Sequence, residues 1–269
     1  MIRHLKRYVY QWPVMAPWRA RRAERLSQRF RDHPLGFRFA GRDTFFRADW
    51  EPQERAAIVD ALARADVFID VGANEGIYTC IAAAGGVAVC AVEPEAGNLR
   101  YLLSNVQENG FERVEVFPLA IAEGPRIARF YGDGVIASLA PEWHRWRKSF
   151  FQLTPVNSLD NLFADRWSGE RLLVKIDVEG GEIDAIRGAA RLIARTPKPT
   201  WIVEAFLFNR DDARSLNQDF GLLFSTMFAA GYACTRVDNG MAVTPVDVAA
   251  WLSHPHEAQL GLSNFLFHA

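Results

Sequence analysis

Asp70, Gly72, Asn74 and Gly76 alternate through a stretch that begins within one short, mostly apolar run, Val67 to Val71, and ends before another, Ile77 to Ala84. Glycines able to take φ > 0 bring bare backbone up to a ligand, and the carboxylate ahead of them selects which ligand. A pyrophosphate turn carries closely set glycines in the order Gly-x-Gly-x-x-Gly. Here an acid precedes the first glycine and the next lies four positions on. Such a carboxylate repels a pyrophosphate and attracts the cationic amino-acid end of S-adenosylmethionine (SAM). Glu93 closes a second apolar run, Val87 to Val92, where an acid can accept hydrogen bonds from both hydroxyls of a ribose. Two acids in register after successive strands favour SAM, and a nicotinamide-dependent oxidoreductase is the alternative.

A second glycine-bearing turn, Val178-Glu179-Gly180-Gly181-Glu182, follows the apolar run Leu172 to Asp177, with Asp177, Glu179, Glu182 and Asp184 clustered around it. Lys175 inside that run calls for a carboxylate partner. A fourth parallel strand would lie beside the first, bringing Asp177 near Asp70. Ala120 and Ile121 fall in a loop that passes the mouth of such a crevice and could line an adenine.

These residues need elements to hold them. Val67 to Val71, rich in β-branched residues, reads as a strand buried on both faces, and Ile77 to Ala84 as the helix after it. Asn98 to Val106 is the next helix, closed by Asn109-Gly110, and Val114 to Phe117 a third strand. Ser158 or Asp160 caps a short helix. Ile183, Ile186, Ala190 and Ile193 form a helical stripe ended by Pro197, and Trp201 to Glu204 is a fifth strand. Tyr232 to Val237 and Met241 to Val243 make a hairpin around Asn239-Gly240, and Asn264 to Phe267 is a last strand or docking segment. Upstream, Phe37 to Trp50 predicts a hairpin around Gly41-Arg42-Asp43, and Glu51-Pro52 opens a helix to about Ala65. From Arg126 to Phe151 an aromatic insert interrupts the rhythm with an edge strand at Ile127 to Tyr131. Trp143 and Trp146 could stack on a sugar or aromatic substrate, or pack on the fold or another subunit.

The chain has 269 residues, 49% of them apolar, and a formal net charge of -1, enough for one large α/β domain with an appendage. Nothing global points to a nucleic-acid partner. Its three cysteines are too scattered for a disulfide framework or a zinc site and read as buried, reduced thiols in a cytoplasmic protein. No apolar run is long enough to span a bilayer, and no internal repeat occurs. Residues 1–34 are rich in arginine and aromatic residues; they could lie on an anionic membrane, meet a second copy of the chain, or pack on their own domain.

With these residues placed, the chain resembles the FkbM family of SAM-dependent methyltransferases. The match is carried by Ile69-Asp70-Val71-Gly72-Ala73-Asn74-Glu75-Gly76, by Glu93-Pro94 with Asn98, by Lys175-Ile176-Asp177-Val178-Glu179-Gly180 with Glu182, by Glu204 and by Asn264 to Phe267. The resemblance implies a Rossmann-like class I methyltransferase fold: a mainly parallel seven-stranded sheet with one antiparallel strand and helices on both faces. It divides the chain into a basic extension, residues 1–49, and a methyltransferase domain, residues 50–269, with the insert at about 126–151. It implies O-methylation of a sugar, glycan or hydroxylated natural product. Asp70, Gly72, Asn74, Glu75 and Glu93 carry over as cofactor contacts, and Asp177, Glu179 and Glu204 as acids facing the substrate. Asp177 or Glu204 is the candidate base; a divalent metal on Asp177, Glu179 or Glu204 is the less favoured reading. A non-catalytic interaction protein working through its basic N-terminus is a third alternative.

Overall fold

Residues 21–22, 24–132, 137–139, 151–209, 212–258 and 264–269 are described by the structure, a computed structural model. Trp143, Trp146 and the basic residues 1–20 lie outside them. Arg31–Asp32 (β1) pairs antiparallel with Arg38–Phe39 (β2). The hairpin expected around Gly41 to Asp43 is thus displaced: the chain reverses at Gly36, whose φ is +87°, and Asp43–Phe46 coils into one 3-10 turn. Aromatic burial explains the shift. A strand would send Phe45 and Phe46 to opposite faces, whereas the turn brings both rings to Phe39, at 5.8 and 6.0 Å between centroids.

Pro52–Leu62 (α1) begins with proline in its first turn and buries Ile58, Ala61, Leu62 and, against expectation, Glu54. The βα rhythm then runs Val67–Val71 (β3), Ile77–Ala84 (α2), Ala88–Val92 (β4), Ala96–Glu108 (α3) and Val114–Phe117 (β5). Ala120–Ile121 (β6), Arg126–Tyr131 (β7) and Phe151–Asn157 (β8) form a three-stranded sheet separate from the main one. Leu159–Phe163 (α4) follows, with Ser158 accepting from the Asn161 amide as its cap. Leu172–Ile176 (β9) leads to Glu182–Arg187 (α5) and Ala190–Ala194 (α6). The single helix expected there is broken because Gly188 presses on another segment: a Cβ on it would stand 2.3 Å from the Ala122 carbonyl oxygen. The break moves the apolar stripe from Ala190, which is exposed, to Ala189, which is buried. Thr200–Glu204 (β10), Phe208–Asn209 (β11), Asp212–Leu216 (β12), Phe220–Ala229 (α7), Ala233–Arg236 (β13), Ala242–Val243 (β14), Pro245–Ser253 (α8) and Asn264–His268 (β15) complete the chain.

The main sheet has the order β14-β13-β15-β10-β9-β3-β4-β5. From β10 through β5 all neighbours are parallel, and β15 enters antiparallel between β10 and β13. This is the expected seven-stranded arrangement, widened by the two-residue β14 as the hairpin partner of β13. Helices cover both faces, as continuous apolar strands require. Residues of α1, α2 and α3 join one core with Phe68, and those of α4 through α8 join the other with Val67, Ile69 and Val71. Strand order reverses between β3 and β9, which leaves a crevice beyond their carboxyl ends. Cys80, Cys90 and Cys234 are all free and buried, and no helix among the described residues is long and apolar enough to cross a membrane.

Candidate active site

Where β3 ends, Gly72 adopts φ +84°, and a Cβ there would sit 1.9 Å from the Asp177 carbonyl oxygen. The Asp177 amide in turn donates to the Val71 carbonyl at 3.0 Å, so the two turns of the crevice are in backbone contact and only glycine fits between them. Asn74 follows in the left-handed region, φ +55°. That conformation aims its amide at Glu93 Oε2, 2.8 Å away, while the Glu95 amide donates to Oε1 at 2.7 Å and the Asn98 side chain adds a further hydrogen bond. Glu93 is buried at the end of β4, and burial pushes its carboxyl up to about 8 despite these donors. The result is a carboxyl group fixed at the wall of a cleft with about 570 Å³ of empty space. Leu119, Ala120, Ile121, Phe130, Ala137 and Leu139 line its apolar part, so Ala120 stands where expected and the insert supplies the cover. Gly72, Asn74, Glu93, Asn98, Asp177 and Glu179 line its polar part.

Three residues expected at the cofactor, Asp70, Glu75 and Gly76, are not among those that line this cleft. Side chains alternate along a strand, so Asp70 turns with Phe68 toward the α2 side, where it is buried, accepts from Thr79 Oγ1 at 2.6 Å through Oδ2, and leaves Oδ1 without a partner. It does not line the cleft. Burial raises its carboxyl, while Lys175 and Thr79 act against the rise. Glu75 accepts from the Arg42 amide at 2.8 Å and faces Arg42 Nε at 3.3 Å; it too is off the cleft wall. Gly76, φ +88°, opens α2 against Leu102 and does not reach the cleft. The Glu75 contacts were not legible beforehand. They fasten residues 40–42 to the glycine turn, helped by Asn105, which accepts from the Ala40 amide at 2.7 Å and donates to the carbonyls of Ala40 and Glu75 at 2.9 and 2.8 Å.

On the other side of the crevice the construction is by side chains. Lys175 is buried, and its ammonium lies 2.7 Å from Asp177 Oδ2, as its place in an apolar strand demanded, and 3.5 Å from Glu54 Oε1, which nothing in the local pattern announced. Burial opposes its charge, but Asp177, Glu54 and Asp70 outweigh that and hold it protonated. Burial pushes Glu54 up to about 7, and its other oxygen accepts from Asn264 Nδ2 at 2.8 Å. Glu204 ends β10 half-buried; burial and then Asp177 keep its carboxyl well above the usual range, and it is hydrogen-bonded to Asp177. Burial and Asp177 thus both favour the neutral form of Glu204, and Asp177 is the member of the pair that lines the cleft. Glu179 lines the cleft from a left-handed turn, φ +58°, steadied by Ser138 Oγ donating to its carbonyl at 2.7 Å. The other two acids of this turn have local duties: buried Glu182 accepts from the Gly180 amide at 2.9 Å and is pushed by burial up to about 7, and Asp184 pairs with Arg187 at 3.1 Å. Among the described residues no group of three or more His, Cys, Asp or Glu side chains is arranged to hold a metal ion. Between Glu54 and Asp177 stands the Lys175 ammonium instead.

The family model described as the methyltransferase FkbM domain matches residues 70–234, from the first of these acids to the strand beyond the second turn. No curated protein matches the chain in sequence. Solved structures similar to it include a methyltransferase FkbM from Methylobacillus flagellatus, 17% identical with a TM-score of 0.48, which covers 96% of this chain and 61% of that one. A precorrin-6y C5,15-methyltransferase from Geobacter metallireducens is 12% identical with a TM-score of 0.42, over 87% of this chain and 96% of that one. A putative O-methyltransferase from Klebsiella pneumoniae is 12% identical with a TM-score of 0.38, over 98% and 94%. The chain thus spans about three fifths of the length of the first of these structures, and the family model alone carries the assignment.

Proposed function

The chain belongs to the FkbM methyltransferase family, and on that premise we propose that it transfers the methyl group of SAM to a hydroxyl oxygen of a sugar, a glycan or a hydroxylated natural product. The observation that carries the cofactor is Glu93, a buried carboxyl group at the cleft wall held by the backbone of Asn74 and Glu95. A fixed carboxyl group of this kind, able to accept and donate hydrogen bonds, suits a ribose diol. The rest of the cleft fits the same ligand. Apolar Leu119, Ala120, Ile121 and Phe130 suit an adenine, and Gly72 lets backbone approach where a Cβ has no room. Asp177 and Glu179 favour the positive charge of a sulfonium and an ammonium.

When bound, SAM supplies a methyl group already activated by its sulfonium. The residues must then orient a hydroxyl, take its proton and keep water out. Asp177 is the base in this reading, because it lines the cleft and Lys175 donates to its Oδ2 at 2.7 Å. That donor fixes its orientation, and the carboxylate takes the hydroxyl proton as the oxygen attacks. Phe130, Ala137 and Leu139 close the apolar side against water.

Calorimetric titration of the full chain with SAM and, separately, with NADH and NADPH tests the cofactor: SAM should bind, and Glu93→Gln should weaken it about tenfold or more. Tighter binding of a nicotinamide, or no binding of SAM, overturns the reading. Incubation with methyl-labelled SAM and cell extract fractionated into glycolipid, polysaccharide and small-molecule pools should then place label in one pool, as a base-stable ether.

A further inference from the structure

The amino-acid end of SAM carries a carboxylate as well as an ammonium, and the described cleft has no cation on its wall to meet it. Its ionisable lining residues are Glu93, which burial keeps protonated, and the acids Asp177 and Glu179. A bound carboxylate would face repulsion from Asp177 and Glu179 unless a cation lies close behind. Two cations do. Lys175 is 2% exposed and held between Asp177 at 2.7 Å and Glu54 at 3.5 Å, so its ammonium is committed to buried acids. Arg42 is differently placed. Its Nη2 donates to Oδ1 of Asn74, a cleft-lining residue, at 3.1 Å, and its side chain is 36% exposed. Nε lies 3.3 Å from Glu75 Oε1 in an ion pair, so the guanidinium is anchored on one edge while its Nη2 edge faces the cleft-lining Asn74. A partly exposed guanidinium beside the glycine turn is the group that a planar carboxylate engages in a two-pronged contact.

We propose that Arg42, reaching over from the segment ahead of the methyltransferase domain, binds the carboxylate of the cofactor's amino-acid tail. The inference rests on the SAM reading above and deepens it. The backbone at this point does not depend on the guanidinium: Glu75 holds the Arg42 amide at 2.8 Å and Asn105 holds both the amide and the carbonyl of Ala40. Phe45, 4.6 Å beneath the guanidinium, offers an apolar seat for a substituted side chain as well. Arg42 is thus free to change partner from Asn74 to the ligand, and Arg42→Met should keep the segment docked.

SAM and decarboxylated S-adenosylmethionine share the sulfonium, the adenosine and the ammonium and differ only in that carboxylate. Calorimetry gives the two dissociation constants for the wild-type chain and for Arg42→Met. The variant should shift their ratio on the order of tenfold toward the decarboxylated ligand, with the affinity for that ligand nearly unchanged, and Arg42→Lys should shift it less. A shift in the ratio below about threefold overturns the proposal, whether both affinities fall together or neither moves. A wild-type chain that binds neither ligand overturns the SAM reading itself, a separate outcome.

Discussion

The two sides of the crevice are built in different ways. At the ends of β3 and β4 the work is done by backbone: Gly72 admits a close approach, and the amides of Asn74 and Glu95 hold Glu93. At the ends of β9 and β10 it is done by buried charge: Lys175 is shared by Glu54 and Asp177, while burial and Asp177 raise the carboxyl of Glu204. Their reach along the chain differs just as much. Asn74 and Glu93 are 19 positions apart, whereas Asn264 and Glu54, which complete the charged side, are 210 apart. A site made of backbone is set once the strands pair; one made of coupled ionisable groups is set only when the whole sheet has closed, and pH can retune it afterwards.

The largest effect should come from breaking the charged side. Lys175→Met leaves Glu54 and Asp177 without their shared cation and should cost about 3–5 kcal/mol in urea unfolding at neutral pH. Because Glu54 is pushed up to about 7, acidification neutralises it, and the cost should shrink by pH 5.5. A cost under about 1 kcal/mol at neutral pH would mean that the acids are already neutral and that the charged side is not what the distances imply.

Breaking the backbone side comes next. Gly72→Ala must relieve a 1.9 Å contact with backbone at a left-handed φ, for about 3 kcal/mol and loss of SAM binding. Gly76→Ala clashes chiefly with the end of the Leu102 side chain, 2.6 Å away, its backbone lying no closer than 3.4 Å, and should cost about 1–2 kcal/mol with binding retained. Equal losses in the two variants would erase the distinction between a site wall and a helix start.

The smallest effect is one of pH, and it tests whether the backbone side is also tuned by burial. The folded-state carboxyl of Glu93, up to about 8, lies above its ordinary value of 4.5, so between these values the folded chain keeps a proton that the unfolded chain releases. Stability of the ligand-free protein should therefore fall as pH rises through this window. Glu54 and Glu182, each at about 7, add to the fall in the same direction. Glu93→Gln should flatten the part between about pH 7 and 8, where the other two have already given up their protons. A melting temperature that is level with pH in the wild type would contradict the burial of all three.

How much of this could be read from the chain alone follows the same division. β3, α2 and β5 begin and end where their apolar runs do, and the Asn239-Gly240 hairpin and the Ser158 cap also fall as expected, because each depends on neighbours a few residues away. The misplacements involve partners outside the element's own run of residues, from six positions away to more than sixty. Residues 41–43 make no hairpin because Phe45 and Phe46 are drawn to Phe39, and the helix after the second acidic turn breaks because Gly188 meets Ala122. Asp70 is an instructive case. It stands within a buried strand that leads to the glycine turn, as expected, yet strand alternation and Thr79 take its side chain beneath α2 and away from the cleft wall.

By itself the sequence determined that a parallel sheet would form, where its first turns would lie, and that acids would stand at the ends of four of its strands, since apolar periodicity and glycine spacing act over a few residues. Only the tertiary structure decided which acids face the cleft, that Glu54 and Asn264 complete the Lys175 cluster, and that Arg42 comes to rest beside the glycine turn. Which charges end up together is a matter of which distant segments are packed against one another, and burial then fixes how strongly each holds its proton.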